Sequence, residues 1–139
     1  MEATQFGAGK IALVVDDQRD FCLMLAALLE SFGFGVVCAS DGHDALEKLR
    51  HKKVDVILTD LFMPDMDGIE LISKVHQAGD PAPVIAFTGD PHYAAHSVGS
   101  AAAALGARAV LMKPFSRDQL ASAIGFVCSP SKAQAITQS

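Results

Sequence analysis

Five polar residues stand out because each comes at the end of a short apolar run. Asp16 and Asp17 follow Ile11–Val15, Asp60 follows Val54–Thr59, Thr88 follows Pro83–Phe87, and Lys113 follows Ala109–Met112. Taken singly, each has an ordinary explanation. An Asp at a strand end is most often a turn former, Thr88 a turn hydroxyl and Lys113 a solvated charge. Together they are the parts of a site that handles an anion through a metal ion. Two unit charges about 4 Å apart interact by roughly 4 kcal/mol at an effective dielectric near 20, so three gathered carboxylates need an offset. All-oxygen ligands with room for water and phosphate suit Mg²⁺. Three carboxylates and one ammonium leave a formal charge of two negatives. One divalent ion cancels it, and a neutral site with open oxygen ligands can receive a phosphoryl group.

Such a site needs a frame that brings strand ends together. Ile11–Val15 reads as a strand buried on both faces. From Gln18 the period becomes helical, with Phe21, Met24, Leu25, Leu28, Leu29 and Phe32 on one face and Gly33 as the stop. Gly35–Ala39 is a second strand, Asp41 a cap, and Ala45, Leu46 and Leu49 one face of a second helix. Val54–Thr59 is the third strand. A turn-rich stretch around Met63–Gly68 leads into a third helix carrying Ile69, Leu71, Ile72 and Val75, which stops near Gly79 and Pro81. Pro83–Phe87 is the fourth strand. The alanine-rich stretch Pro91–Leu105 predicts a fourth helix, and Ala109–Met112 the fifth strand. Ser116 to Gln119 forms a capping box for a last helix with Leu120, Ile124 and Val127. Alternating strands and helices imply a parallel sheet with helices on both faces, joined by right-handed crossovers. In such sheets ligands sit outside the carboxyl ends of the strands, where the five polar residues fall.

Composition narrows the class. The chain has 139 residues, 50% hydrophobic and 19% charged, which is enough for one packed domain. A net charge of −5 disfavours direct binding to nucleic acid. No apolar run reaches a membrane span, and no signal peptide is expected. Cys22, Cys38 and Cys128 fit neither a disulfide framework nor a zinc knuckle and read as small core residues in a reducing, cytoplasm-like compartment. The histidines lack a zinc set: His92 and His96 lie four apart but have no third ligand. Asp65–Gly68 hints at a calcium loop but lacks the other ligands, and so reads as a turn. Met63 and Met66 could rim a partner surface. Residues 1–9 are expected as an N-terminal extension, 10–128 as the domain, and 129–139 as a polar tail or the start of a linker.

The blocks Val14-Val-Asp-Asp17, Leu58-Thr-Asp-Leu-Phe-Met-Pro-Asp-Met-Asp-Gly68, Phe87-Thr-Gly89 and Met112-Lys-Pro-Phe115 resemble the response-regulator receiver domain of two-component signalling. The resemblance implies a flavodoxin-like (βα)5 fold with strand order 2-1-3-4-5. It implies that Asp60 accepts phosphate from a phosphohistidine on a histidine kinase or histidine phosphotransfer protein. Asp17 and Asp60 match direct Mg²⁺ ligands, Asp16 matches the acid that acts through a bound water, and Phe62 matches the residue whose backbone carbonyl completes the set. Thr88 matches the hydroxyl on the phosphoryl oxygen and Lys113 the lysine that pairs with it. Lys113-Pro114 matches a peptide bond that is often cis. Gly89 should leave the phosphoryl pocket open. The implied chemistry is in-line phosphoryl transfer with a carboxylate nucleophile, and the implied output is protein contact, with pairing of two copies allowed and the output partner unknown.

Two positions depart from the family pattern. Val110 stands three residues before Lys113, where family members usually carry Tyr or Phe. The ring that turns inward behind the threonine is therefore missing, and the readout is expected to pass through the loop after Thr88 and the alanine-rich helix. Phe62 and Asp90 border the path of attacking water. A bulky Phe62 should exclude it, whereas Asp90 could orient it. Two other readings are weighed beside this one. A receiver-fold interaction module that takes no phosphate has the missing aromatic in its favour, but the intact pair Asp16 and Asp17, with Asp60, Thr88 and Lys113, argues against it. A haloacid-dehalogenase-like phosphatase with Asp60 as nucleophile is disfavoured, because that chemistry wants an acid where Phe62 stands.

Overall fold

The computed structural model describes residues 7–89 and 106–128. The elements are β1 (Ile11–Val15), α1 (Arg19–Ser31), β2 (Gly35–Ala39), α2 (Gly42–His51), β3 (Val56–Asp60), α3 (Gly68–Gln77), β4 (Val84–Thr88), β5 (Ala107–Met112) and α4 (Arg117–Val127). The five strands form one parallel sheet in the order β2-β1-β3-β4-β5. This is the expected topology, with four of the five expected helices among the described residues. The helix expected over Pro91–Leu105 and Asp90 lie outside them.

Alternation along the central strands builds two cores. Leu13, Val15, Ile57, Val84 and Ala86 face the layer of α2 and α3. Ala12, Val14, Leu58, Ile85 and Phe87 face the layer of α1 and α4. Side chains on successive strand residues point to opposite faces, so a strand apolar at every position serves both layers at once. Every residue of β3 and β4 is buried. The outer strands β2 and β5 are only partly covered.

Local chemistry sets the helix ends. Asp41 accepts from the Asp44 N–H, Asp67 from the Glu70 N–H, and Ser116 and Gln119 complete the expected capping box. Gly33 ends α1 at φ 100°, a conformation costly for any residue with a Cβ. Among the described residues no helix is long and apolar enough to cross a membrane.

Several expectations need correcting. β3 begins at Val56 rather than Val54 and runs through Asp60, and β4 runs through Thr88, so both polar residues are the last of their strands. β5 begins at Ala107, two residues early, with a register irregularity opposite Val84 and Ile85. Met24 is exposed, one step off the buried stripe of Cys22, Leu25 and Leu29. Met63 and Met66 are core residues rather than a surface rim, because the turn folds under α2 and brings Met66 against Gly42. Cys22 is buried and Cys128 partly so, but Cys38 is exposed on the thinly covered edge strand.

Candidate functional site

β1 and β3 are adjacent in the sheet, so Asp16 and Asp60 leave it side by side. Both are buried, at 1% and 8% exposure. Each carboxylate is oriented in the same way. Asp16 Oδ1 accepts from the Gln18 N–H at 2.8 Å, and Asp60 Oδ1 accepts from the Phe62 N–H at 2.9 Å. These contacts with the residue two positions on are the turn-forming habit of Asp, so the ordinary reading and the functional one hold for the same residues. The other oxygens meet at Lys113, whose Nζ donates to Asp16 Oδ2 at 2.9 Å and to Asp60 Oδ2 at 2.8 Å. Burial by itself draws the Lys113 pKa down, but the hydrogen bonds and charges of Asp60 and Asp16 outweigh it and hold the ammonium above its ordinary value.

Thr88 is fully buried, and its carbonyl accepts from the Lys113 N–H at 2.7 Å. That bond ties the end of β4 to the residue after β5. The Lys113–Pro114 peptide bond is cis. Asp17 is exposed beside the cluster and makes no hydrogen bond or ion pair among the described residues. Phe62 is 46% exposed. A Cβ at Gly89 would meet nothing within 4 Å among the described residues. Gly68 is different. A Cβ there would run into the Asp60 carbonyl oxygen, so the start of α3 packs directly on the backbone of the acid.

One contributor escapes sequence reasoning. Phe21 on α1 places its ring centroid 4.0 Å from Lys113 Nζ, and Phe87 lies 5.1 Å away. Phe21, Phe87 and Phe115 form an aromatic group with centroids 5.2 to 6.1 Å apart. The ammonium is thus held by carboxylates on one side and ring faces on the other. Helical spacing marks Phe21 as a core residue; the only further signal is its place one turn after Asp17.

Carboxylate oxygens are the donors a hard divalent cation takes. Asp16, Asp17 and Asp60 therefore fit Mg²⁺ in kind. Among the described residues, however, no three His, Cys, Asp or Glu side chains converge as a preformed cage, and Lys113 spans two of the acids. What the arrangement offers is a buried carboxylate, Asp60, oriented by a backbone donor and facing a cation at the open rim of the sheet.

Comparison with known proteins agrees with this geometry. The profile of the response regulator receiver domain family matches residues 12–125. The transcriptional regulatory protein ZraR of Klebsiella oxytoca is 41% identical over 110 residues, 78% of this chain and 24% of that protein. The alkaline phosphatase synthesis transcriptional regulatory protein PhoP of Bacillus subtilis is 36% identical over 107 residues, 77% of this chain and 43% of that protein. The chain thus spans about a quarter of the first relative and under half of the second. Among solved structures, a receiver domain protein of Clostridium thermocellum superposes with a TM-score of 0.79 at 26% identity, covering 88% of this chain and 97% of that one. A chemotaxis protein of Vibrio cholerae gives 0.77 at 30% identity, covering 86% and 99%. The fold, the motifs at its strand ends and these relatives agree: the chain belongs to the response regulator receiver domains of two-component signalling.

Proposed function

We propose that Asp60 is a phosphoacceptor, taking a phosphoryl group from a phosphohistidine on a histidine kinase or histidine phosphotransfer protein. The observation that carries this reading is the Lys113 ammonium bonded to both Asp60 and Asp16 at the carboxyl end of the sheet. In the transfer an Asp60 oxygen attacks phosphorus, the O–P bond forms, and the N–P bond breaks with its electron pair leaving on the imidazole. Lys113 balances charge on the phosphoryl oxygens, and the Thr88 hydroxyl donates to one of them. The Phe62 N–H keeps Asp60 aimed while its ring limits access of water. Asp16, Asp17, Asp60 and the Phe62 carbonyl would hold Mg²⁺, which when bound supplies further neutralisation of the phosphoryl oxygens. The chain is then a signalling acceptor rather than an enzyme with an external substrate. Residues 10–128 form the working unit, in the cytoplasm, and the output is protein contact. Val110 packs with the layer of α2 and α3 and has no ring to turn, so the readout runs through the segment after Thr88.

Intact mass after incubation with Mg²⁺ and acetyl phosphate tests this. The expected result is a phosphate-sized gain that is lost in Asp60→Asn. Val110 favours one competing reading, a receiver fold that signals without phosphate. No mass gain in the unaltered chain, or a gain that persists in Asp60→Asn, would decide against Asp60 as acceptor.

A further inference from the structure

The end of the sheet away from Asp60 carries a groove of about 940 Å³ between the C-terminal ends of α2 and α3. Its floor is aliphatic: Leu46 and Leu49 are half-buried and Val75 lies beneath. Its two walls are cationic. Lys52 and Lys53 stand on one side and Lys74 on the other, all exposed, with no hydrogen bond or ion pair to their ammonium groups among the described residues. The neighbouring positive groups are already engaged. Lys48 pairs with Asp44 at 2.9 Å, while Arg50 and His51 both reach Glu47. Asp80 is the one acid on the lining, and its Oδ1 accepts from the Ala82 N–H. A chain of net charge −5 therefore gathers three uncompensated ammonium groups around an apolar trough.

Cations in the last turn of a helix complement its dipole. That accounts for Lys48, Arg50 and His51 in α2 and for Lys74 in α3. It does not account for Lys52 and Lys53, which lie beyond α2, or for an aliphatic floor left open between them and Lys74. We propose that this groove docks an acidic peptide segment of a partner protein, with its aliphatic side chains on Leu46, Leu49 and Val75 and its carboxylates against Lys52, Lys53 and Lys74. A peptide fits better than a phosphate compound because the aliphatic floor of Leu46, Leu49 and Val75 calls for apolar side chains that a phosphate lacks. Backbone donors already serve the helix-end carbonyls of Lys48, Lys74, Val75 and His76, so the groove's recognition rests on its side chains. Among the described residues no Phe or Tyr lines the groove for a nucleobase to stack on. Within this chain, residues 129–139 carry one lysine and no acid, so their charge does not match the walls.

The test is a selection of displayed random twelve-residue peptides on the full-length chain, followed by fluorescence anisotropy of an enriched peptide. Enriched sequences should combine several Asp or Glu with aliphatic residues and shift the amide resonances of Leu46, Leu49 and Ala78. Affinity should fall about tenfold or more in the Lys52→Glu/Lys53→Glu/Lys74→Glu variant and weaken with added salt. All three side chains are exposed, so the variant should stay folded, with only a small drop in melting temperature from the reversed charges at the helix ends, which a thermal scan checks. No acidic enrichment overturns the proposal, as does equal binding to the reversed variant. Displacement of the peptide by sodium tripolyphosphate or by a synthetic peptide of residues 129–139 at comparable concentration would assign the groove to phosphate or to the chain's own terminus instead.

Discussion

Asp16 and Asp60, at the carboxyl end of the sheet, are buried and each held by two donors. Lys52, Lys53 and Lys74, at the amino end, are exposed and held by none among the described residues. The contrast follows from what carries each group. The acids come straight off β1 and β3, strands buried on both faces, and so enter a place where water cannot satisfy them. Each must then find a fixed partner. The lysines come off helix ends, where water satisfies them and no partner is required. One end of the molecule is therefore a set of fixed bonds, and the other a field of charge over an open apolar surface.

Removing one cation from each end should separate the two most widely. Lys113→Met leaves Asp16 and Asp60 buried without their shared cation, and should cost about 3 kcal/mol in urea unfolding at neutral pH. Lys53→Met should change stability by less than about 0.5 kcal/mol. Equal losses would mean that the carboxyl end is solvated like the amino end. That outcome would remove the argument from burial.

Those two ends were unequally legible in the sequence. The strand ends could be read because β-branched and apolar runs stop where Asp16, Asp60 and Lys113 begin. Asp60 and Thr88 were displaced by one position, since a polar residue at the end of a buried run looks like loop although its backbone still pairs in the sheet. Phe21 over Lys113 could not be read, because the periodicity of α1 says which face is inward and nothing about which residue 92 positions on will meet it. The groove was hidden for a similar reason. The run Lys48–Lys53 looks like a solvated helix end until the fold sets Lys74 across from it. Met63 and Met66 were misread because a turn rich in Pro, Asp and Gly signals surface, whereas this one buries both side chains in the core shared with α2 and α3.

Crowding differs as charge does. Gly68→Ala would drive a methyl group into the Asp60 carbonyl, and overpacking of that kind costs roughly 1–3 kcal/mol. Gly79, after α3 at the amino end, has open space around its missing Cβ but a φ of 76°. Gly79→Ala should therefore cost about 1 kcal/mol, from the backbone alone. Spectra of the two variants sharpen the comparison. Gly68→Ala should move the amide resonances of Asp60 and Phe62, and Gly79→Ala should leave them in place. Unmoved Asp60 and Phe62 signals in Gly68→Ala would mean that α3 does not set the position of the acid.

The smallest effect is the pH dependence of the Lys113 bridge. Its folded pKa lies above the ordinary lysine value near 10.5, because Asp60 and Asp16 favour the charged form by more than burial opposes it. The folded state therefore holds this proton more tightly than the unfolded chain does. The resulting stabilisation is complete below the unfolded pKa and is lost as pH rises through the folded one. The stability gap between the parent chain and Lys113→Met should then stay flat from neutral pH to about pH 10 and narrow above it. Urea unfolding at a series of alkaline pH values reads this directly. A gap that narrows well below pH 10 would mean that burial prevails over the two carboxylates, and that the ammonium is not the fixed counter-charge its two short bonds make it.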